Sequence, residues 1–222
     1  MSEYAETADV AAIVTTGDNF YFDDPDALME PFAWTEDAAI PFVVSWGNHD
    51  IETPARIEAV ESEFEHADRW GIHEWGPLDI VVLDSTQVDS EEQLTFFDAA
   101  MAGSEDPTIV VFHDPPYSCG SHGGTEAIRD KWVARFDDDV FLVLSGHEHN
   151  YQRFESDGVS YVVTGGGGRF LTALAECPPQ HPERLVGEQT HHFVALSLSD
   201  ELSISAIDHE GTIIDGFSVA LP

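Results

Sequence analysis

Five short runs of consecutive apolar residues set the strongest limit on what this chain can fold into. They lie in Asp9–Thr16 (DVAAIVTT), Pro41–Ser45 (PFVVS), Asp79–Asp84 (DIVVLD), Thr108–Phe112 (TIVVF) and Val140–Leu144 (VFLVL). Strands that read this way are buried on both faces, as in a largely parallel sheet covered by other layers. Helical spacing falls between them, over Pro54–Arg69, from Ser90 to Met101 and over Thr125–Phe136, with a weaker helix before Ile40. Pro54 suits a first helical turn, and Ser90-Glu91-Glu92-Gln93 reads as a capping box. Gly71–Trp75 reads as a further strand, and after Gly146 the pattern becomes all strand: Tyr151–Glu155, Ser160–Thr164, His192–Leu198, Leu202–Asp208 and Thr212–Val219. Gly165–Arg169 and Ala173–Glu188 read as loops. The expectation is an α/β (α+β) fold, a two-sheet β-sandwich flanked by helices. With neither repeat nor linker, 222 residues suit a single domain over 1–222.

Charge narrows the setting. The chain holds 43 Asp and Glu against 8 Lys and Arg, a formal net charge of −35. Self-repulsion of that size destabilises a compact state, and molar salt, with a Debye length of about 3 Å, removes most of it. The acids are spread along the chain rather than gathered in a tail, so the expectation is a halophilic protein of a high-salt cytoplasm. An acidic face for a cationic partner is the alternative. Nucleic acid is not expected as a partner, because no basic stripe exists to meet phosphates. Cys119 and Cys177 lie far apart in sequence and are free to pair or not. No run has the length of a membrane span, and the first residues lack the basic-then-apolar pattern of a signal peptide. As written, the chain is expected to be soluble and cytoplasmic; oligomeric state is left open.

Four of the apolar strands end in polar clusters. These are GDNFY (Asp18, Asn19, Tyr21), GNHD (Asn48, His49, Asp50), HDPPY (His113) and GHEH (His147, His149). Each alone has an ordinary explanation as a turn, a cap or a surface histidine. Together, at four successive strand ends, they describe a site at the carboxyl edge of a sheet. Carboxylate, amide oxygen and imidazole donors suit divalent or trivalent first-row metals rather than a closed thiolate zinc site.

In this order the four motifs resemble the calcineurin-like metallophosphoesterases. GD-x-x-Y and GHEHNYQR are most similar to the purple acid phosphatase branch, as are VTGGGG (Val163–Gly168) and Leu202–Asp208 followed by Gly211. The resemblance implies the four-layer αββα fold and two metal ions (Fe, Mn or Zn) that hold a bridging hydroxide against a phosphate ester. Asp18 would bridge the metals. Asn48, His113 and His147 would complete one site; His149 and Tyr21 would serve the other. His49 would be the acid for the leaving group, oriented by Asp50, and His122 in CGSHGG would lie near the substrate. The substrate would be a small phosphate ester, a monoester in an acid-phosphatase-like reaction, with a phosphodiesterase or nucleotidase as alternative. A truncated, non-catalytic metal-binding domain is the rival from another class.

One part of the resemblance is lacking. Family members open with Asp-x-His or Asp-x-Gly after a first strand, and no such motif precedes Asp18. The expectation is a start assigned too late, with ~30–40 residues upstream, and with them room for secretion; a true truncation, missing the first strand, is the alternative. Trp34, Trp46, Trp70, Trp75 and Trp132 read as packing anchors. His181, His191 and His192 fit no zinc spacing.

Overall fold

A computed structural model describes residues 1–22, 29–64, 67–103 and 106–221. Part of the stretch expected to loop between the first two strands, 23–28, lies outside the described residues.

The central layer is a seven-stranded sheet. Its strands are β3 (Gly71–Trp75), β4 (Leu78–Val82), β5 (Thr108–Val111), β6 (Val140–Ser145), β7 (Tyr151–Ser156), β8 (Val159–Thr164) and β9 (Arg184–Glu188), in the order β3-β4-β5-β6-β8-β7-β9. β4, β5, β6 and β8 run parallel, and β3, β7 and β9 are antiparallel to their neighbours. β1 (Ile13–Val14) and β2 (Phe42–Val43) form a parallel pair, and β10 (His192–Leu198), β11 (Leu202–Asp208) and β12 (Ile213–Val219) an antiparallel sheet.

Every residue of β5 and β6 is buried, as their unbroken apolar sequence requires. Alternate side chains serve two cores. Val81, Val110 and Val143 face one side, where they pack with Phe97, Met101, Ile128 and Trp132. That side is covered by helix α4 (Glu91–Gly103) and helix α5 (Glu126–Lys131). Ile80, Ile109, Leu142 and Val162 face the other side, against Leu202, Ile204 and Ala206 of β11. A third cluster joins Val44 and Trp46, just beyond β2, to Ala59, Val60 and Phe64 of and beside helix α3 (Pro54–Glu63). Two more short α-helices among the described residues are α1 (Ser2–Ala5) and α2 (Trp34–Ala38). The layers of the expected sandwich are therefore present, but its second sheet is in two pieces: among the described residues β1–β2 and β10–β12 are separate sheets.

Several expected boundaries shift. The strand expected over Asp9–Thr16 is only Ile13–Val14, since its ladder runs to β2 alone. The helix expected to Arg69 ends at Glu63, where Phe64 turns extended to bury its ring. The helix expected to Phe136 leaves α geometry after Lys131 and tightens into a three-residue-per-turn segment at Val133–Arg135. The loop expected over Ala173–Glu188 contains edge strand β9, whose RLVGE sequence has too little alternation to announce it. The half of the capping box that forms is the amide of Gln93 on Ser90 Oγ; the Gln93 side chain turns instead to the backbone of Asp84. Trp46 is buried, with its indole N–H on the Ala67 carbonyl, so it packs rather than lines a cleft. Cys119 and Cys177 are joined in a disulfide.

Candidate metal centre

The carboxyl ends of β1, β2, β5 and β6 meet at one place. The amide of Gly146 donates to the His113 carbonyl at 2.9 Å and ties the ends of β6 and β5 together. His113 Nδ1 lies 2.8 Å from the Thr16 carbonyl, which brings in the end of β1. The amide of His49 donates to Asp18 Oδ1 at 2.8 Å and brings in the loop after β2. Glycine makes the approach possible at Gly47, where an added Cβ would stand 2.3 Å from the Asp18 amide and carboxylate. Asp18 (φ 57°) and His147 (φ 65°) are two of the four non-glycine residues at positive φ among the described residues.

The expected ligand set is brought together. Single donor atoms of Asp18, His113 and His147 all lie within 4.8 Å of one another. His113 Nε2 is 3.2 Å from Asp18 Oδ2, 3.1 Å from Asn48 Oδ1 and 3.2 Å from His147 Nδ1. Tyr21 extends the cluster: its hydroxyl donates to Asp18 Oδ2 at 3.0 Å and stands 2.9 Å from His149 Nε2. Asp18 thus belongs to two groups of donors, one with Asn48, His113 and His147, the other with Tyr21 and His149.

Electrostatics follows from this crowding. Burial raises Asp18, but the hydrogen bond and charge of His113, helped by the His49 amide, outweigh it and hold the carboxyl down to about 2. Burial lowers His113, and its hydrogen bond to Asp18 reverses the shift upward. Burial and the neighbouring His113 charge lower His147. Burial, then the Asp18 charge, push the Tyr21 phenol far up, so without a cation beside it this hydroxyl keeps its proton. A cluster of this kind satisfies itself with a shared proton, and a cation could take that proton's place.

The donors fit a metal on their own geometry. The carbonyls of Thr16 and Phe170 can only accept, so each takes the Nδ1–H of its histidine, His113 or His149. Nε2 of both rings is left facing the carboxylate and phenol. Pinning the far nitrogen to a carbonyl is the usual way a ligating imidazole is oriented.

One expected role changes. His49 lies at the edge of the cluster, its ring 4.5 Å from that of Tyr21, but Asp50 does not orient it. Asp50 is fully buried and accepts from the amides of Phe20 and Gly47 and from the Asn19 side chain. It bolts the GDNFY and GNHD loops to each other. The carboxylate on His49 Nδ1 is Glu52, at 3.1 Å. Adjacency in sequence suggested Asp50; the turn sends its side chain inward instead. The ring of His122 lies 4.6 Å from that of His147.

Three residues near the cluster escaped the sequence reading. Glu148 is fully buried and accepts from the amides of His122 and Gly123 and from Thr172 Oγ1. It holds the CGSHGG loop in place. Asp114 Oδ1 stands 3.8 Å from His147 Nδ1 and is itself fixed by Ser85. Arg169 lies with its guanidinium carbon 4.6 Å from the Tyr21 ring. Glu148 and Asp114 sit inside the quoted motifs, each next to a histidine, and that adjacency was the available signal; Arg169 closes the glycine run and carried none.

Residues 1–151, more than half of the chain and the stretch holding all the cluster donors, match the family described as calcineurin-like phosphoesterase. A probable cyclic nucleotide phosphodiesterase of Synechococcus sp. is 29% identical over 161 residues, 65% of this chain and 55% of that protein. The chain thus spans about half the length of that relative. Purple acid phosphatase PPD1 of yellow lupin superposes with a TM-score of 0.78 at 17% identity, covering 97% of this chain and 47% of that one. GAP50, described as the anchor in the inner membrane complex of Plasmodium, gives 0.80 at 16% identity, covering 99% and 81%. At these identities the likeness to the two structures is one of fold. No helix among the described residues is long and apolar enough to cross a membrane. The family match, over the very strands whose ends converge on Asp18, means that this chain belongs to the calcineurin-like phosphoesterases.

Proposed function

We propose that the chain hydrolyses small phosphate esters, monoesters first, with two metal ions held by Asp18, Asn48, His113 and His147 on one side and by Asp18, Tyr21 and His149 on the other. The observation that carries this reading is the mutual approach of Asp18, His113 and His147 within 4.8 Å at the joined strand ends. Metal ions bound there would neutralise phosphate oxygens and acidify water.

The chain's own residues supply the rest. His49 is partly exposed beside Tyr21 and would give its proton to the leaving oxygen. Glu52, on its Nδ1, holds the ring with Nε2 free for that transfer. His122, its ring 4.6 Å from that of His147, would hydrogen-bond a phosphate oxygen from the other loop. A positioned acid of this kind contributes about 10²–10⁴-fold.

A diesterase is the second reading, favoured by the Synechococcus relative. The test is turnover of p-nitrophenyl phosphate and bis(p-nitrophenyl) phosphate with added Mn²⁺ or Fe, in the wild type and His147→Ala. Turnover untouched by the substitution would remove the proposal, and a faster diester would select the second reading.

A further inference from the structure

Of the eight cationic residues in this acidic chain, seven are engaged with oxygen. Five sit on carboxylates, and Arg129 and Arg184 sit on backbone carbonyls. Arg169 differs. Among the described residues it makes no ion pair, and its Nε is buried with no hydrogen-bond partner. Its guanidinium carbon lies 4.6 Å from the Tyr21 ring, 5.1 Å from Phe170 and 5.5 Å from Phe22. Cation–π contact with three rings holds the group without consuming its N–H donors.

Those rings have an unusual placement. Phe170 is 69% exposed and Phe22 56%, two of the most exposed large apolar side chains described. Both are tied to the metal centre. The Phe170 carbonyl meets His149 Nδ1 at 2.8 Å, and its ring is 5.5 Å from the His149 ring. Phe22 follows Tyr21, whose hydroxyl reaches Asp18. One phenol ring therefore separates the Asp18 carboxylate from a guanidinium with free donors and two open aromatic faces.

A chain of net charge −35 repels a phosphate dianion, and a cation left without an anion beside the cluster offsets that locally. We infer that Arg169, Phe22 and Phe170 form a leaving-group subsite that selects phosphate esters of planar aromatic groups, an aryl or nucleoside ester, over alkyl esters. Arg169 would hydrogen-bond the phosphate, and the two phenylalanines would stack on the ring of the ester. This deepens the hydrolase reading above and rests on it for the seat of the phosphate.

The test is equilibrium binding of phenylphosphonate and methylphosphonate to the Mn²⁺-loaded protein, which needs no turnover. Phenylphosphonate should bind about three- to tenfold tighter, the worth of one aromatic pair. Phe170→Ala with Phe22→Ala should erase that preference without weakening methylphosphonate. Arg169→Ala should weaken both ligands, and Arg169→Lys should recover part of the loss. Phe22 and Phe170 are exposed, so folding is not at stake in the double variant, and the Arg169→Lys recovery separates lost binding from lost folding at the partly buried Arg169. Equal affinity for the two phosphonates, a preference that survives loss of both rings, or no binding of either would overturn the subsite. Turnover of p-nitrophenyl phosphate is measured beside it. Turnover with equal binding sinks the subsite alone; a ring-dependent preference without turnover sustains the subsite and sinks hydrolysis.

Discussion

Replacing Glu148 with alanine tests how the loop carrying His122 is held. The carboxylate is fully enclosed and accepts from the His122 and Gly123 amides, from Thr172 Oγ1 at 2.8 Å and from Ser121 Oγ at 3.4 Å. Ser121 is exposed, so water can serve its hydroxyl, whereas Thr172 is buried. Two donors, Thr172 Oγ1 and the His122 amide, then carry most of the cost, at about 1.5–3 kcal/mol for each bond to a charged acceptor. Water entering the gap and the recovered solvation of the carboxylate return part of that. The net expectation is a loss of about 2–4 kcal/mol in urea unfolding at fixed salt. Glu148→Gln should lose under about 1 kcal/mol, because its carbonyl can keep the amides while the Thr172 hydroxyl turns to accept from its NH₂. Phosphate-ester turnover should fall in the alanine variant and largely survive in glutamine. An alanine variant within about 1 kcal/mol of wild type, or a glutamine variant as damaged as alanine, would refute the reasoning.

Other sites give independent expectations. Asp215 of β12 accepts from Tyr151 Oη at 2.8 Å and Arg153 Nε at 2.6 Å, both on β7, and so clamps the two sheets. Asp215→Ala leaves the buried Tyr151 hydroxyl without its acceptor, while the part-buried Arg153 guanidinium keeps Glu155, and should cost about 1–3 kcal/mol in urea unfolding; a change near zero would refute the clamp. Burial lowers His192, against the raising effect of the Thr190 carbonyl and with that of His191, while the unfolded chain titrates near 6.5. The unfolded state takes the proton first, so stability is full above that value and falls as pH drops below it. His192→Gln should flatten the melting temperature between about pH 5 and 7.5, and an unchanged slope would refute the assignment. The Cys119–Cys177 bond spans a separation of 58 residues. Cys119→Ser with Cys177→Ser should therefore lower stability by about 2–4 kcal/mol, read by urea unfolding; equal midpoints would show that the crosslink constrains nothing.

The sequence was most legible where local pattern and global fold agree. Asp18 and Asn48 follow the parallel pair β1 and β2, and His113 and His147 the parallel pair β5 and β6, so each couple of ends shares an edge and only the packing of the two sheets had to bring the couples together. His149 and Tyr21 followed from the same edges. Roles that depend on the curvature of a loop were not readable. Asp50 adjoins His49 in sequence, yet its carboxylate serves the Phe20 and Gly47 amides, and Glu52 reaches the ring instead. The Cys119–Cys177 pairing depended on where an irregular segment returns. It also sits poorly with the expected cytoplasmic setting, since thiols there are normally kept reduced. β9 hid because its five residues, RLVGE, neither alternate nor form an apolar run.

The left-handed backbone at Asp18 and His147 has a consequence for anyone reshaping this protein. Each residue gives up about 1 kcal/mol that glycine there would recover. A laboratory selection for heat resistance alone should therefore drift toward glycine at position 147 and keep aspartate at 18, where the bonds from the His49 amide, the Tyr21 hydroxyl and His113 outweigh the backbone strain.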